Sequence, residues 1–375
     1  MNKRKAYAIS THLYFLAVLI SITFIMYGTI YGEGETIVPA YRQVILKFEE
    51  EIAIIDSEAS SNAMLNYILN FKLDSKGNIY LLDQKHPSIL IFDSKGSFQG
   101  EQGKLGQGPG DFKNPMRLYI DPRDFFYVYD ATNYNVTGLS PDWKVTLFTR
   151  FQAMLGSELF VTPAGDIYAF FRDMEQSGPI RRLSLTNKNG EQIKVMIEFK
   201  DSAVIVKGNK ETGMVAGAMI HEYTSDAYLY PLDLNSFVYG YNMENNFHIY
   251  NTSNNKDRVI TLPGSKTKIT SEEEKYFEDT CGKWAMLPDY RPFFKRLLCD
   301  EKGRIYVTRT RPVLSEEKSI EIDIFSKEGK YLYRATSPVV FTLVRDGFVY
   351  NAGKDKSGET ILKRYRIKNY KSLHY

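Results

Sequence analysis

An all-β fold made of small repeated sheets is predicted by three observations. Strand-favouring aromatics are abundant: 27 Tyr and 23 Phe bring the aromatic share of the 375 residues to 14%. One unit, a strand, a turn with Asp or Gly and an aromatic-rich strand ending in a polar residue, recurs six times. Each copy carries a tyrosine at the same point, at Tyr80, Tyr127, Tyr168, Tyr239, Tyr306 and Tyr350, spaced by 47, 41, 71, 67 and 44 residues. Four-stranded sheets repeating every ~40–50 residues are the signature of a β-propeller. Six units therefore predict a six-bladed β-propeller of four-stranded meanders.

The chain opens with Lys3-Arg4-Lys5. Ala6 to Tyr31 then holds no Asp, Glu, Lys or Arg and is centred on LYFLAVLISITFIMYG (Leu13 to Gly28). About 20 apolar residues cross a bilayer core, and the basic flank keeps that end in the cytoplasm. The expected organisation is a cytoplasmic basic tip and transmembrane signal anchor over 1–32, a linker over 33–41, and a propeller over 42–372 outside the cytoplasm, periplasmic or at the cell surface. Secretion after signal cleavage is the alternative; no Ala-x-Ala site follows the run, and Gly32-Glu33-Gly34 is the only small-x-small option nearby. A lipoprotein is not expected, because the first cysteine is Cys281. The three N-terminal basic residues account for the whole formal charge of +3, so acids and bases balance beyond residue 32. That excludes bulk electrostatic binding of nucleic acid, and two cysteines exclude a disulfide scaffold.

Arg42 to Glu49 (RQVILKFE) reads as a strand without a partner in the first unit. It is assigned as the fourth strand of the last blade, so that an N-terminal strand closes the ring and no long edge is exposed. FKLDSKGNIYLLD (Phe71 to Asp83) opens blade 1. Its counterparts are MRLYIDPRDFFYVYD (Met116 to Asp130), LFVTPAGDIYAFFRD (Leu159 to Asp173), LYPLDLNSFVYGYN (Leu229 to Asn242), RLLCDEKGRIYVTR (Arg296 to Arg309) and VFTLVRDGFVYNAG (Val340 to Gly353). In Asp74-Ser75-Lys76-Gly77 and Asp300-Glu301-Lys302-Gly303 the Asp bonds its own backbone and the Gly takes a positive φ, which suits tight hairpins. A second hairpin follows in several copies, as in ILIFDSKGSFQG (Ile89 to Gly100), and completes four strands. Runs such as FFYVY are almost continuously apolar, which predicts sheets buried on both faces.

Over Asp74 to Asp121, DSKGNIYLLDQKHPSILIFDSKGSFQGEQGKLGQGPGDFKNPMRLYID, the sequence resembles the NHL-repeat family of six-bladed propellers. That family repeats Asp-x-x-Gly-x-(Ile/Val)-Tyr, Ile-x-x-Phe-Asp-x-x-Gly and Gly-x-Gly-x-Gly-x-Phe-x-x-Pro. The likeness covers blades 1 and 2 and Asp289 to Val307, and fades in blades 3, 4 and 6. It implies the exported bacterial type of propeller and bears on fold more than on function. Gly106-Gln107-Gly108-Pro109-Gly110 lacks the Gly-Lys-Ser/Thr ending of a phosphate loop and reads as a blade-to-blade turn.

Two intervals exceed the period by about 25 residues and place insertions at 200–223 and 265–292. Both join an outer strand to the next inner strand, share one face and flank blade 4 as a candidate lid. In the second, Ser271 with Glu274 reads as the capping box of a short helix. In the first, KGNKETGMVAGAMIHEY reads as a mobile loop. Residues three past each tyrosine should ring the channel mouth on that face: Asp83, Asp130, Phe171, Asn242, Arg309 and Gly353. Arg172 and Arg311 lie beside that register, and His86 is in the first loop. Asp83, His86, Asp130, Arg172, Asn242 and Arg309 are thus the candidate ligand-binding residues, and their mixture suits a polar polymer, peptide or protein partner.

The expected function is a binding module at this face, without a cofactor. The alternative class is a metal-dependent hydrolase or lyase in the central channel. Amidating zinc lyases share the six-bladed fold and use channel histidines, which His86 and His221 could supply, with His248 farther out. Lactonase-like propellers hold calcium on a Glu/Asn/Asp set that Asp83, Asp130 and Asn242 would imitate without the Glu. No Gly-x-Ser-x-Gly or His-Glu-x-x-His occurs. Cys299 reads as a core residue of an inner strand. Cys281 is near enough in sequence to leave a disulfide between them open.

Overall fold

The repeat begins as local backbone chemistry. Asp74 Oδ1 accepts from the Lys76 and Asn78 amides at 2.9 and 2.8 Å, and Tyr80 donates its hydroxyl to Oδ2 at 3.1 Å. Gly77 turns the corner at φ +81°, a conformation glycine adopts without steric penalty. Asp300 repeats the pattern with the Lys302 and Arg304 amides at 3.0 and 2.9 Å and with Tyr306 at 2.9 Å. In these blades the marker tyrosine ties its strand to the preceding turn. All six marker tyrosines are buried.

This computed structural model describes residues 42–49, 52–151, 154–175, 178–200, 205–209, 214–219, 221–281 and 287–372. The expected anchor and linker, 1–41, lie outside them. Among the described residues no helix is long and apolar enough to cross a membrane.

Among the described residues, six antiparallel blades follow one another in chain order. Blade 1 consists of Ile68–Leu73, Ile79–Asp83, Ile89–Phe92 and Phe98–Gln102, and blades 2 to 5 span 115–150, 154–200, 227–261 and 294–337. Blade 6 takes three strands from 343–366 and its fourth from the N-terminal part of the chain. The first strands of successive blades pack on one another from blade 1 to blade 6 and form the inner ring. Second strands such as Ile79–Asp83 and Phe126–Asp130 are buried throughout, as their apolar runs require. The outer strand Lys256–Thr261 is mostly exposed. Aromatic rings fill the seams: Phe237 of blade 4 lies 5.0 Å from Tyr168 and 5.2 Å from Phe160 of blade 3.

Side chains bridge the axis. Glu158 of blade 3 accepts from Asn70 Nδ2 at 3.0 Å and pairs with Lys72 Nζ at 3.4 Å, both from blade 1. Lys72 Nζ also stands 5.2 Å from the ring centre of Tyr230, which belongs to blade 4 on the opposite side of the ring.

An N-terminal strand closes the ring, but it is Ile52–Ile55, paired antiparallel with Thr360–Arg366. Arg42 to Glu49, assigned to that place from sequence, divides: Phe48 bridges Ile367 and the Glu49 amide donates to the Arg366 carbonyl at 3.0 Å, at the end of blade 6, while the strand itself lies elsewhere. Its strand Arg42–Ile45 pairs in parallel with Tyr331–Ser337 as a fifth strand on the outer edge of blade 5. Burial explains the choice. The closing strand lies against blade 1, where Ile54 and Ile55 are buried and Gly96 packs on the Ile54 carbonyl. IAII supplies adjacent apolar side chains for that seat, whereas Ile45 in RQVI is 72% exposed.

The first insertion contains a hairpin, Ile205–Asn209 with Met214–Met219, in the segment expected to be a mobile loop. The helix of the second insertion spans Ser271–Cys281 as expected, but its capping box stands one residue earlier. The Glu273 amide donates to Thr270 Oγ1 at 3.3 Å, and the Thr270 amide donates to Glu273 Oε2 at 3.2 Å. Glu273 is the glutamate of that first turn which faces inward, together with Phe277, and this decides the register. Cys281 and the buried Cys299 are free thiols.

Candidate functional site

A β-bulge builds the floor of the site. In blade 5 the register of Phe294–Cys299 against Ile305–Arg309 slips between Phe294 and Arg296. Consecutive strand residues normally face opposite sides; the slip lets Lys295 and Arg296 both line one cavity. Slips at Ile68/Asn70 and Pro115/Arg117 mark the same point in blades 1 and 2.

The cavity encloses about 630 Å³. Blade 5 adds Thr308, Arg309 and Arg311, and blade 4 adds Tyr228 and Asn242. His221 and Glu222 come from the end of the first insertion, and Tyr276 from the helix of the second. A buried knot fastens these parts. Tyr223 donates its hydroxyl to Glu273 and accepts from the Val313 amide at 3.0 Å. Arg291 holds Glu273 through Nη2 at 2.7 Å and Nε at 3.0 Å. The Phe277 ring lies 5.1 Å from Tyr223 and 4.9 Å from His221. Burial by itself would raise the Glu273 carboxyl. Hydrogen bonds from Arg291, Tyr223 and the Thr270 amide outweigh it and leave the group below its ordinary value.

The lining is electropositive. Lys295, Arg296, Arg309, Arg311 and Lys318 face two carboxylates, Glu222 and Asp226. Both carboxylates are already partnered, Glu222 by Lys295 and Asp226 by Arg181. Arg296 Nη1 donates to neutral acceptors, the Phe341 carbonyl at 2.8 Å and Thr342 Oγ1 at 3.2 Å. Arg309 Nε lies 3.7 Å from the buried Asp323, which Arg334 Nε approaches at 2.9 Å and Tyr331 at 2.7 Å. Arg309 Nη1 and Thr308 Oγ1 are buried without a hydrogen-bond partner. Burial, reinforced by Arg311 and Arg296, lowers the Lys295 ammonium to about 8; burial also lowers Arg296 and Arg309.

Of the six candidate ligand-binding residues, Asn242 and Arg309 come together in this cavity, beside Arg311 and His221, which the sequence also singled out. Asp83 is occupied by backbone: Oδ2 accepts from the Asn66 and Tyr67 amides at 2.8 and 2.7 Å, and Oδ1 from Lys85 at 2.9 Å. Asp130 does the same with Asn114 at 3.0 Å and with Thr132 and Asn133 at 2.9 and 2.7 Å. Asn242 likewise accepts from the Asp226 amide at 2.8 Å and donates to the Thr224 carbonyl at 3.1 Å. In blades 1, 2 and 4 this register position therefore clips the chain arriving at the blade. In blade 5 it is Arg309, which reaches the cavity instead. Arg172 lies in the second strand of blade 3, Ile167–Glu175, and does not line the cavity. His86 Nε2 meets the Met64 carbonyl at 3.2 Å.

The residues named for the metal alternatives have other partners. His221 Nδ1 accepts from the Tyr223 amide at 3.1 Å. His248, on a third strand, stacks 4.5 Å from Tyr239 and sits 3.1 Å from Asp257. Among the described residues no three His, Cys, Asp or Glu side chains gather as a metal site. The oxygens of Asp83, Asp130 and Asn242 each serve their own blade, so they do not fit a shared ion. Sequence reasoning missed Lys295, Arg296, Thr308 and Lys318. The Lys-Arg doublet opening an otherwise apolar inner strand was the available signal.

Residues 43–281 match the profile of the DUF5128 family, described as a 6-bladed beta-propeller. Among solved structures the chain is similar to a Bacteroides fragilis protein assigned as exported, at 12% identity and TM-score 0.53, over 88% of this chain and 98% of that one. It is also similar to a member of the DUF4221 family from Bacteroides vulgatus, at 11% identity and TM-score 0.51, over 86% and 98% of the two chains. A catalytically inactive virginiamycin B lyase from Staphylococcus aureus matches at 9% identity and TM-score 0.39, over 86% and 90%, too distantly to bear on activity. No protein with a curated description matches the sequence. At such identities the likeness is one of fold. The family profile covers more than half of the chain and agrees with its six sheets: the protein belongs to DUF5128, a family of 6-bladed beta-propellers.

Proposed function

We propose that this chain is a membrane-tethered, extracytoplasmic propeller that binds a polar polymer, peptide or protein segment in the cavity between blades 4 and 5. The cavity itself carries the reading. Two blades and both insertions contribute to its lining, while Lys72, Glu158 and Tyr230 bridge the axis. A concave site with a few convergent polar groups is the default place for a ligand. The NHL-like motifs of blades 1, 2 and 5 fit a propeller used as a platform. The exported relative fits a position outside the cytoplasm, to which the uncharged run 6–31 would deliver the chain.

Glycan and peptide arrays probed with the full chain test the binding role. Wild type should capture a subset of probes, and Tyr276→Ala, which trims an exposed wall of the cavity, should capture them weakly. Equal capture by both would move the ligand to another surface. Protease added to intact spheroplasts tests location: residues 42–375 should be digested. Digestion only after lysis would place the propeller inside.

A further inference from the structure

We infer that the cavity between blades 4 and 5 selects an acidic saccharide, one that presents a carboxylate or sulfate to Arg309, Arg311 and Lys318. The inference rests on the binding reading above and adds the class of ligand.

Charge is the first argument. Five cations line a cavity in which both carboxylates are already partnered. Among the described residues, Arg296, Arg311 and Lys318 have no carboxylate within ion-pair distance; the acceptors found are carbonyls and a hydroxyl, with Arg311 Nη1 donating to the Glu317 carbonyl at 2.6 Å. Arg296 is half-buried, whereas Arg311 and Lys318 stand exposed; together they give the cavity a positive potential that favours an arriving anion. Lys295, paired with Glu222, has its ammonium lowered chiefly by burial and in second place by the neighbouring Arg311 and Arg296. Guanidinium forks match planar carboxylates and the oxygens of sulfate.

Unmet hydrogen bonding is the second argument, and it is independent of net charge. Thr308 is 7% exposed, lines the cavity and has a hydroxyl without a partner, and the neighbouring Arg309 Nη1 is also unmet. Buried polar atoms are almost always satisfied; Arg309 Nη1 can only donate and the Thr308 hydroxyl can donate as well, so one acceptor oxygen, of a sugar hydroxyl or of a carboxylate, would meet both.

The third argument separates a saccharide from an acidic peptide. Extended peptides are commonly held by a free strand edge. Here the blade 5 strand carrying Thr308 and Arg309 is paired on both sides. What the cavity offers is hydroxyl, cation and the rings of Tyr228 and Tyr276, within a volume that suits a compact ligand.

Calorimetric titration of the full chain tests this with four probes: digalacturonate, a sulfated chondroitin disaccharide, neutral lactose and the dipeptide Asp-Glu. Digalacturonate or the sulfated disaccharide should bind, lactose should not, and added salt should weaken binding. Which of the two acids binds tells carboxylate from sulfate. Arg311→Glu and Lys318→Glu replace exposed side chains and should each weaken binding by about tenfold or more, with the thermal midpoint of the free protein unchanged. Equal binding of lactose would overturn the acidic class while leaving a binding cavity in place. Binding of Asp-Glu alone would overturn the saccharide. Acid binding that ignores both charge reversals would remove the ligand from this cavity and overturn the inference. So would no binding by any of the four probes; array capture lost in Tyr276→Ala would then still stand for the broader reading.

Discussion

At the scale of single residues, the seams between blades depend on a few side chains, or on their absence. Gly96 sits at φ +89°, and a Cβ there would stand 1.4 Å from the Ile54 carbonyl oxygen of the closing strand. Gly190 meets the Arg150 carbonyl of the preceding blade in the same way, at 2.0 Å. Gly96→Ala must both hold a left-handed conformation and push that strand away. It should lower stability by at least about 2 kcal/mol, read as a fall in the denaturant midpoint. Lys295 carries a second prediction. Its folded pKa of about 8 lies below the ordinary 10.5, so the folded chain holds this proton less tightly than the unfolded one. The penalty of the buried ammonium is therefore present below pH 8 and relieved as pH rises toward 10.5. With Glu222 as its counter-charge and Arg296 and Arg311 as its cationic neighbours, an acidic ligand would favour the charged form. Affinity for such a ligand should fall as pH rises through about 8, and Lys295→Met should flatten the fall; a flat profile in the wild type would place Lys295 beyond the ligand's reach.

At the scale of elements, the helix Ser271–Cys281, the candidate lid, is fastened by one buried acid. Three of its first four residues are glutamates, which favours the helix N-terminus, but only Glu273 meets both Tyr223 and Arg291. Removing one partner of a buried ion pair costs about 3–5 kcal/mol. Glu273→Ala should therefore release the lid, seen as faster amide exchange over 271–281, while blade amides far from it keep their protection. Because the Glu273 carboxyl lies below its ordinary 4.5, its contribution is complete above that pH. It should be lost as pH falls through the lower folded value. Protection of the 271–281 amides, taken relative to the intrinsic exchange rate at each pH, should fall on acidification in the wild type, and in Glu273→Gln it should lose most of that dependence. Unchanged exchange in Glu273→Ala would mean that the apolar contacts of Phe277 hold the helix unaided.

At the scale of the whole molecule, a ring of sheets is stable only when closed, because an open propeller leaves a sheet face and an edge unpaired. Two N-terminal strands compete for that role by pattern, and they differ in burial: Ile55 is 0% exposed and Ile45 72%. Ile55→Ala should cost about 2–5 kcal/mol. Ile45→Ala should stay within about 0.5 kcal/mol. Thermal unfolding of the two variants side by side checks this, and equal losses would mean that the fifth strand of blade 5 matters as much to the ring as the closing strand. The bridged axis has its own consequence. Since Lys72 and Glu158 tie blade 1 to blade 3, the proposed ligand would enter at the rim between blades 4 and 5, where the insertions stand.

Local rules made much of this protein legible before any tertiary contact was considered. The Asp-x-x-Gly turns, the buried aromatic strands, the count of six and the two insertions flanking blade 4 all follow from hydrogen bonds and hydrophobic patterns that act within some 50 residues. Arg309 and Asn242 were found because the repeat fixes their register. What followed only from the assembled ring was the partner of each strand and the use of each polar end. RQVI and IAII are equally good strands; the seat against Gly96 chose the second. Asp83, Asp130 and Asn242 share one register position with Arg309, yet the first three meet backbone amides, and of these only Asn242 also lines the cavity beside Arg309. Lys295 and Arg296 joined it through a bulge, which one chain segment cannot reveal because the slip exists only relative to the neighbouring strand.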